Sequence, residues 1–213
     1  MSALLHDYGP MLLEAVCVHT LYVLAAVSIG FVLGLSLGVL LSRIPRWSGL
    51  ILPVLSIFQT IPGLVFIGVL FIWLGDSYAT VIAALSVYAM FPVLKNTYTG
   101  ILSVEQKYVE AARGCGMSPL QTLVKVELPL AMPTIIAGLR MSAIYTVSWA
   151  VLAAMIGKGG LGDFVYQGVS SNNNTLILLG ALPSALLAVA FGAVIDLLQN
   201  KLTPRGMRKG AGK

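Results

Sequence analysis

Charge is the scarcest commodity in this 213-residue chain: 10% of its residues are Asp, Glu, Lys or Arg, while 58% are hydrophobic. Soluble domains carry about 25% charged residues. With a mean hydropathy of +0.92 there is too little polar surface to cover a water-soluble globule, so the composition describes a membrane protein. Cysteine is nearly absent as well. Cys17 and Cys115 are the only two, which excludes a disulfide-stapled secreted module, and the apolar content excludes intrinsic disorder. Histidine is limited to His6 and His19. Cys17 stands two residues from His19, but a structural zinc site wants four ligands; no metal site is expected, and a packed or interfacial role suits the pair.

A secretory signal is not expected either. Met1 to Val18 contains no Lys or Arg, and the apolar run from Leu21 to Leu41 has the length of a membrane span. That pattern reads as an uncleaved first helix.

What is present is a series of long apolar segments. A helix crossing about 30 Å of hydrocarbon needs about 20 apolar residues. Five segments reach or approach that length: 18–42, 49–74, 78–94, 131–156 and 176–199. The second holds Pro53 and Pro62 with Gln59 and Thr60 between them, so a kink or break is expected there. The third is short and is expected to end at Phe91-Pro92. The chain is therefore read as one all-α membrane domain of about five transmembrane helices.

Basic residues orient these spans. With the N-terminus outside, the inner side receives Arg43, Arg46, Lys95, Lys107, Arg113, Lys125, Lys201, Arg205, Arg208, Lys209 and Lys213, eleven of the thirteen. Lys158 alone falls outside, and Arg140 lies within the fourth span. The positive-inside rule selects N-out, C-in. The net charge of +5 then reflects topology and anionic inner-leaflet lipid, and no nucleic-acid partner is needed. Cys17 and Cys115 fall on opposite sides of the bilayer, which excludes an intramolecular bridge.

Two glycine patterns are decoys. Gly157, Gly159 and Gly162 match G-x-G-x-x-G, but that fingerprint requires a preceding strand, and here it follows an apolar helix. The glycines instead suit a sharp turn with Leu161, Phe164 and Val165 packed back on the bundle. The tail from Gly206 to Lys213 lacks the first glycine and the Ser or Thr of a phosphate loop. No nucleotide site is expected in this chain.

The loop over residues 103–129 carries the strongest signal. Good helix formers run from Val104 to the Gly114-Cys115-Gly116 break, a C-cap signature. Ser118 then offers an N-cap and Pro119 a first helical residue. The spacing predicts a rigid helix-turn-helix on the inner membrane face, and the small residues Ala111, Ala112, Gly114 and Gly116 allow another protein to approach its bend closely.

Glu110-Ala111-Ala112, three residues, Gly116, nine residues, then Val126-Glu127-Leu128-Pro129 resembles the EAA motif of ABC importer permeases, with Val126 in place of the usual Ile. Gln59-Thr60-Ile61-Pro62, Asn96-Thr97-Tyr98-Thr99-Gly100, Ser148-Trp149 with Ala153-Ala154, and Gly159-Gly160-Leu161-Gly162-Asp163 are similar to the osmoprotectant branch, the permeases for glycine betaine, carnitine and choline. The resemblance covers residues 18–205. It implies a non-catalytic, multi-pass subunit of a bacterial inner membrane, whose coupling helix docks in a cleft of cytoplasmic ABC ATPase subunits. Those subunits would bind ATP and Mg, and an extracytoplasmic solute-binding protein would deliver the substrate. Glu110, Ala111, Ala112, Gly116, Met117, Ser118, Pro119, Leu128 and Pro129 are the positions so implied at the coupling loop. A methionine or other amino-acid importer permease shares the size and the loop, and an ATP-independent channel or carrier is the rival class.

Polar and aromatic residues inside the spans complete the reading. Arg140 either snorkels to the inner face or pairs inside the bundle, and Asp196 reads as interfacial. A quaternary ammonium suits aromatic faces; Trp73, Tyr88, Tyr145 and Trp149 are available, with Tyr145 and Trp149 one helical turn apart. Gln59, Tyr145 and Trp149 are the expected substrate pathway. Gly30, Gly34 and Gly38, with Ser28 and Ser36, mark one face of the first span, for close contact within the subunit or with a second permease, identical or paralogous.

Overall fold

The computed structural model describes residues 2–202, with the side chains of residues 8–199 and 201. His6 and the C-terminal basic residues Arg205, Arg208, Lys209 and Lys213 lie outside that side-chain set. Among the described residues there is no strand. The chain forms α1 (Ser2–Arg43), α2 (Pro45–Phe58), α3 (Gly63–Leu74), α4 (Tyr78–Leu102), α5 (Gln106–Gly114), α6 (Pro119–Thr122), a π-helical turn (Leu123–Glu127), α7 (Leu128–Ala150), a 3-10 turn (Val151–Ile156), α8 (Leu161–Ser170) and α9 (Asn174–Leu202). Four helical stretches are long and apolar enough to cross a membrane, or up to five if the bent α2–α3 pair is one span.

Several boundaries differ from the sequence reading, each for a physical reason. Helix α1 begins near Ser2 rather than at residue 18. Its 42 residues rise about 60 Å, twice a hydrocarbon core, so part of it stands beyond the membrane-length run. Apolarity marks a span, but helix continuity follows propensity, and the Leu, Ala, Met and Glu residues before position 18 are good helix formers. The 49–74 segment bends by 90° between α2 and α3. Tight turns from Gln59, Thr60 and Ile61 to the carbonyls of Ser56, Ile57 and Phe58 close α2. Pro62 then takes an extended conformation, with φ −56° and ψ 130°, at the start of α3.

Pro92 does not end the third span; α4 runs through it to Leu102. Neighbours hold the helix together there. Asn96 donates to the Pro92 carbonyl at 2.8 Å, and Ser142 of α7 donates to the Ala89 carbonyl at 2.7 Å. The carbonyl that Pro92 itself frees is that of Tyr88, four residues back; the two bonds brace the turns on either side of the proline. The second arm of the expected helix-turn-helix is likewise not a separate element. Residues Pro119–Ile156 form one continuous helical stretch, joined by the π turn, whose extra residue makes room ahead of Pro129.

The core is built around α4, clasped between α1 and α7. A Cβ on Gly30, Gly34 or Gly38 would fall 2.7, 2.6 and 2.6 Å from Ala89 Cβ, the Met90 carbonyl oxygen and Thr97 Cβ. One on Gly138 of α7 would fall 2.6 Å from Asn96 Cβ. The glycine face of the first span is therefore used within the subunit. Above it, Tyr22, Val23, Ala26, Val81, Leu85, Val147 and Ala150 form the largest apolar cluster. The buried imidazole of His19 donates from Nε2 to the Val147 carbonyl at 3.0 Å, which packs it against α7.

Candidate functional sites at the α5 bend and in the bundle

Polar and aromatic side chains gather in three regions: the segment carrying α5 between α4 and α7, an aromatic cavity in the bundle, and the end of the bundle remote from α5. The α5 segment is built by two caps. Gly116 N–H donates to the Arg113 carbonyl at 2.9 Å and Met117 N–H to the Ala112 carbonyl at 3.1 Å, the paired bonds of a Schellman ending. Gly116 has φ +79°, and a Cβ there would meet nothing within 4 Å. Within this chain the motif glycine is required by its left-handed backbone, not by crowding. Ser118 Oγ accepts from Gln121 N–H while the Gln121 side chain accepts from Ser118 N–H, a reciprocal capping box that starts α6.

This geometry sorts the loop residues. Glu110, Ala111, Gly116, Ser118 and Pro119 are exposed and Met117 is half-buried, whereas Ala112 is buried against the chain itself. Leu128 and Pro129 are half-buried, and Leu128 packs on Ile101, Ala131 and Ile135. Large side chains that the motif does not include, Tyr108, Leu120 and Val124, are exposed on the same segment. Lys107 pairs with Glu105 at 2.5 Å, and that hydrogen bond raises the lysine's pKa above its usual value. The sequence reading missed Glu127. Its buried carboxylate takes both terminal nitrogens of Arg43, at the end of α1. The signal available was the rarity of a buried, unpaired carboxylate, but nothing local names a partner 84 positions away.

The expected pathway residues do come together. A cavity of about 350 Å³ is lined by Gln59, Tyr88, Pro92, Tyr145, Thr146 and Trp149. The Tyr88 and Trp149 rings stack with centroids 4.5 Å apart and planes 13° apart. Phe66 meets Tyr88 edge-on at 5.4 Å. Tyr88 is anchored by donating from its hydroxyl to the Ile61 carbonyl at 2.7 Å, in the break between α2 and α3. Trp149 lies against Gly63, where a Cβ would fall 1.8 Å from the ring. Trp73, by contrast, is 83% exposed and takes no part. The cavity walls are aromatic and neutral, with the amide of Gln59 and the hydroxyl of Thr146 as polar points. Aromatic walls of this kind can attract a cation through the ring quadrupoles without fixing it by a charge.

At the end of the bundle remote from α5, Gly157, Gly159 and Gly160 all have positive φ, which makes the turn that the sequence suggested. Leu161 and Phe164 pack back on Ala15. Lys158 pairs with Asp76 at 2.7 Å and lies 5.3 Å from the Tyr78 ring centroid. Its carbonyl accepts from Tyr22 Oη at 2.5 Å. The half-buried carboxyl of Asp163 is pushed above the ordinary aspartate value by burial. Arg140 pairs with Asp196 of α9 at 3.0 Å, the in-bundle pairing that was one of its two expected roles. Cys17 and Cys115 are both free, and the described residues contain no group of three potential metal ligands.

Long helices closing on a glycine-lined core, with a capped helical elbow projecting between two of them, define a polytopic membrane transport subunit. Residues 30–208 match the family of binding-protein-dependent transport system inner membrane components, and the chain belongs to that family: it is an inner-membrane ABC transporter permease, a transport component and not a catalyst. It is 37% identical over 203 residues to the carnitine transport permease protein OpuCB of Listeria monocytogenes, covering 95% of this chain and 93% of that one. It is 39% identical to the choline transport system permease protein OpuBB of Bacillus subtilis, covering 96% and 94%. A chain of the MetNI methionine ABC transporter in an inward facing conformation shares the fold, with a TM-score of 0.82 at 24% identity over 92% of this chain and 99% of that chain.

Proposed function

We propose that this chain is the membrane permease of an ATP-driven importer for quaternary-ammonium osmoprotectants of the glycine betaine, carnitine and choline type. In this reading the N-terminus is outside and the C-terminus inside, with the α5 bend facing the cytoplasm. Cytoplasmic ABC ATPase subunits bind ATP and Mg and grip the bend; an extracytoplasmic solute-binding protein hands over the substrate. A second permease, identical or paralogous, completes the pathway, and membrane lipid covers the remaining apolar faces. The observation that carries the substrate is the aromatic cavity of Gln59, Tyr88, Tyr145, Thr146 and Trp149, whose neutral walls suit a trimethylammonium group. The names of the relatives point to the same class.

Mechanically, closure of the ATPase pair pushes the exposed face of Glu110, Ala111 and Gly116. Because α6, the π turn and α7 are continuous, the push is carried along them toward Tyr145 and Trp149 and changes access to the cavity. The likeness of fold to a methionine transporter supports a second reading, a methionine or other amino-acid importer. Uptake of radiolabelled glycine betaine, choline, carnitine and methionine into proteoliposomes holding the complete system separates the two. Uptake of the three osmoprotectants driven by ATP is expected. Methionine-only uptake overturns the substrate, and uptake by the purified chain alone, without ATP, overturns the class in favour of a channel or carrier.

A further inference from the structure

Besides its covalent continuation into α7 and the apolar packing of Leu123 and Leu128 around Ile101, the coupling segment makes a polar contact with the bundle. Glu127 is the last residue of the π turn, and its side chain is 6% exposed. Arg43, the last residue of α1, reaches it with two nitrogens, Nη1 to Oε1 at 3.3 Å and Nη2 to Oε2. A two-point guanidinium–carboxylate contact fixes relative orientation as well as distance. Buried ion pairs add little net stability, because desolvating both charges offsets their attraction; specifying a register is the better-attested use. A π turn is itself a place where a helix can shift its register, and this one lies between the cap at Ser118 and the body of α7.

We propose that the Arg43–Glu127 pair is a transmission contact: it makes α1 follow the coupling segment when the ATPase subunits move α5. Glu127 is a positioning residue, acting through Arg43. The glycine face of α1 is locked onto α4 at Gly30, Gly34 and Gly38, and α4 carries Tyr88 and Pro92 on the cavity wall. Through the pair, a displacement delivered at α5 arrives at the cavity from two sides, by α7 directly and by α1 and α4 together. Without it, the end of α1 follows the coupling segment only through the apolar packing of Leu123 and Leu128 and through α4, and less of each displacement reaches the cavity per ATP. This rests on the coupling role proposed above for α5.

The test uses the complete system in proteoliposomes, measuring ATP hydrolysis and uptake of radiolabelled glycine betaine on the same preparation. Glu127→Gln is the informative variant, because the charge it leaves over belongs to Arg43, which is 40% exposed and can reach water. The expected result is intact assembly and ATP hydrolysis within roughly twofold of wild type, with uptake per ATP lowered about tenfold, the size of an ordinary coupling free energy. The exchanged pair Arg43→Glu with Glu127→Arg is expected to regain most of the lost ratio. An unchanged ratio in Glu127→Gln overturns the proposal, as does a parallel fall of hydrolysis and uptake, or an exchanged pair as deficient as the single variant. Should Glu127→Gln fail to assemble, Arg43→Lys, which keeps the charge and gives up the two-point contact, is read the same way, and an unchanged ratio there is equally fatal. Wild-type complex that shows no ATP-driven uptake would instead overturn the function on which the proposal rests.

Discussion

Helices α4 and α9 are both long and apolar enough to cross a membrane, yet 67% of the spanning window of α4 is buried within the chain and only 11% of that of α9. The difference is made by their neighbours. On α4 the small surfaces of Gly30, Gly34, Gly38 and Gly138 bring two other helices to backbone distance, so its side chains are covered on both flanks. On α9 the chain turns Leu182, Leu186 and Val189 outward, side chains suited to acyl chains or to another protein. With lipid as apolar as leucine, hydrophobicity cannot choose between these fates; close packing and hydrogen bonds do.

The comparison is sharpened by substitutions of equal size at unequal places. Gly34→Ala puts a methyl group 2.6 Å from the Met90 carbonyl oxygen and is expected to cost about 2–3 kcal/mol as the helices are forced apart. Gly192→Ala on α9 meets nothing nearer than Ile144 Cδ1 at 3.6 Å and is expected to leave stability within about 0.5 kcal/mol. Thermal unfolding of the purified detergent-solubilised chain reads both, and equal midpoints would remove the distinction between a clasped and a peripheral helix.

A smaller effect is expected at Ser142→Ala. The lost bond to the Ala89 carbonyl is worth about 1 kcal/mol by the measure of interhelical bonds in membranes. Its removal should also loosen α4 at Pro92, seen as faster amide exchange between Ala89 and Asn96; unchanged exchange would mean that packing alone carries the helix through the proline. The smallest effect belongs to the α7–α9 link. Arg140 and Asp196 pair with side chains 47% and 50% exposed, and a double-mutant cycle of Arg140→Met and Asp196→Asn is expected to give a coupling of about 0.5 kcal/mol. A value several times larger would make α9 part of the clasped core after all.

How much of this could be read beforehand depended on how local each feature is. The coupling segment was legible because caps are local: Ser118, Pro119 and the Gly114-Cys115-Gly116 break sit next to the backbone they terminate, and the structure places each in that role. The break at Gln59–Pro62 was legible for the same reason. The run of α4 through Pro92 was not, since one bracing donor, Asn96, lies a full turn on and the other, Ser142, lies 53 residues from the carbonyl it meets. Nor was the long start of α1, because a hydropathy count stops at polar residues that a helix accepts. Of the aromatic residues, the i, i+4 spacing of Tyr145 and Trp149 could be counted. That Tyr88 joins them and Trp73 does not depends on the 90° bend between α2 and α3.

Composition required a membrane protein, and apolar runs of about 20 residues required that its spans be helices, which satisfy their own backbone polar groups in lipid. The periodic small residues made close helix contact available, and the local capping signals placed the elbow. Tertiary structure decided which helix each small face would meet, that Glu127 would find Arg43, and that a stacked tyrosine and tryptophan would wall one cavity. Those outcomes depend on distances between residues far apart in the chain, and such distances are set only when several helices pack at once.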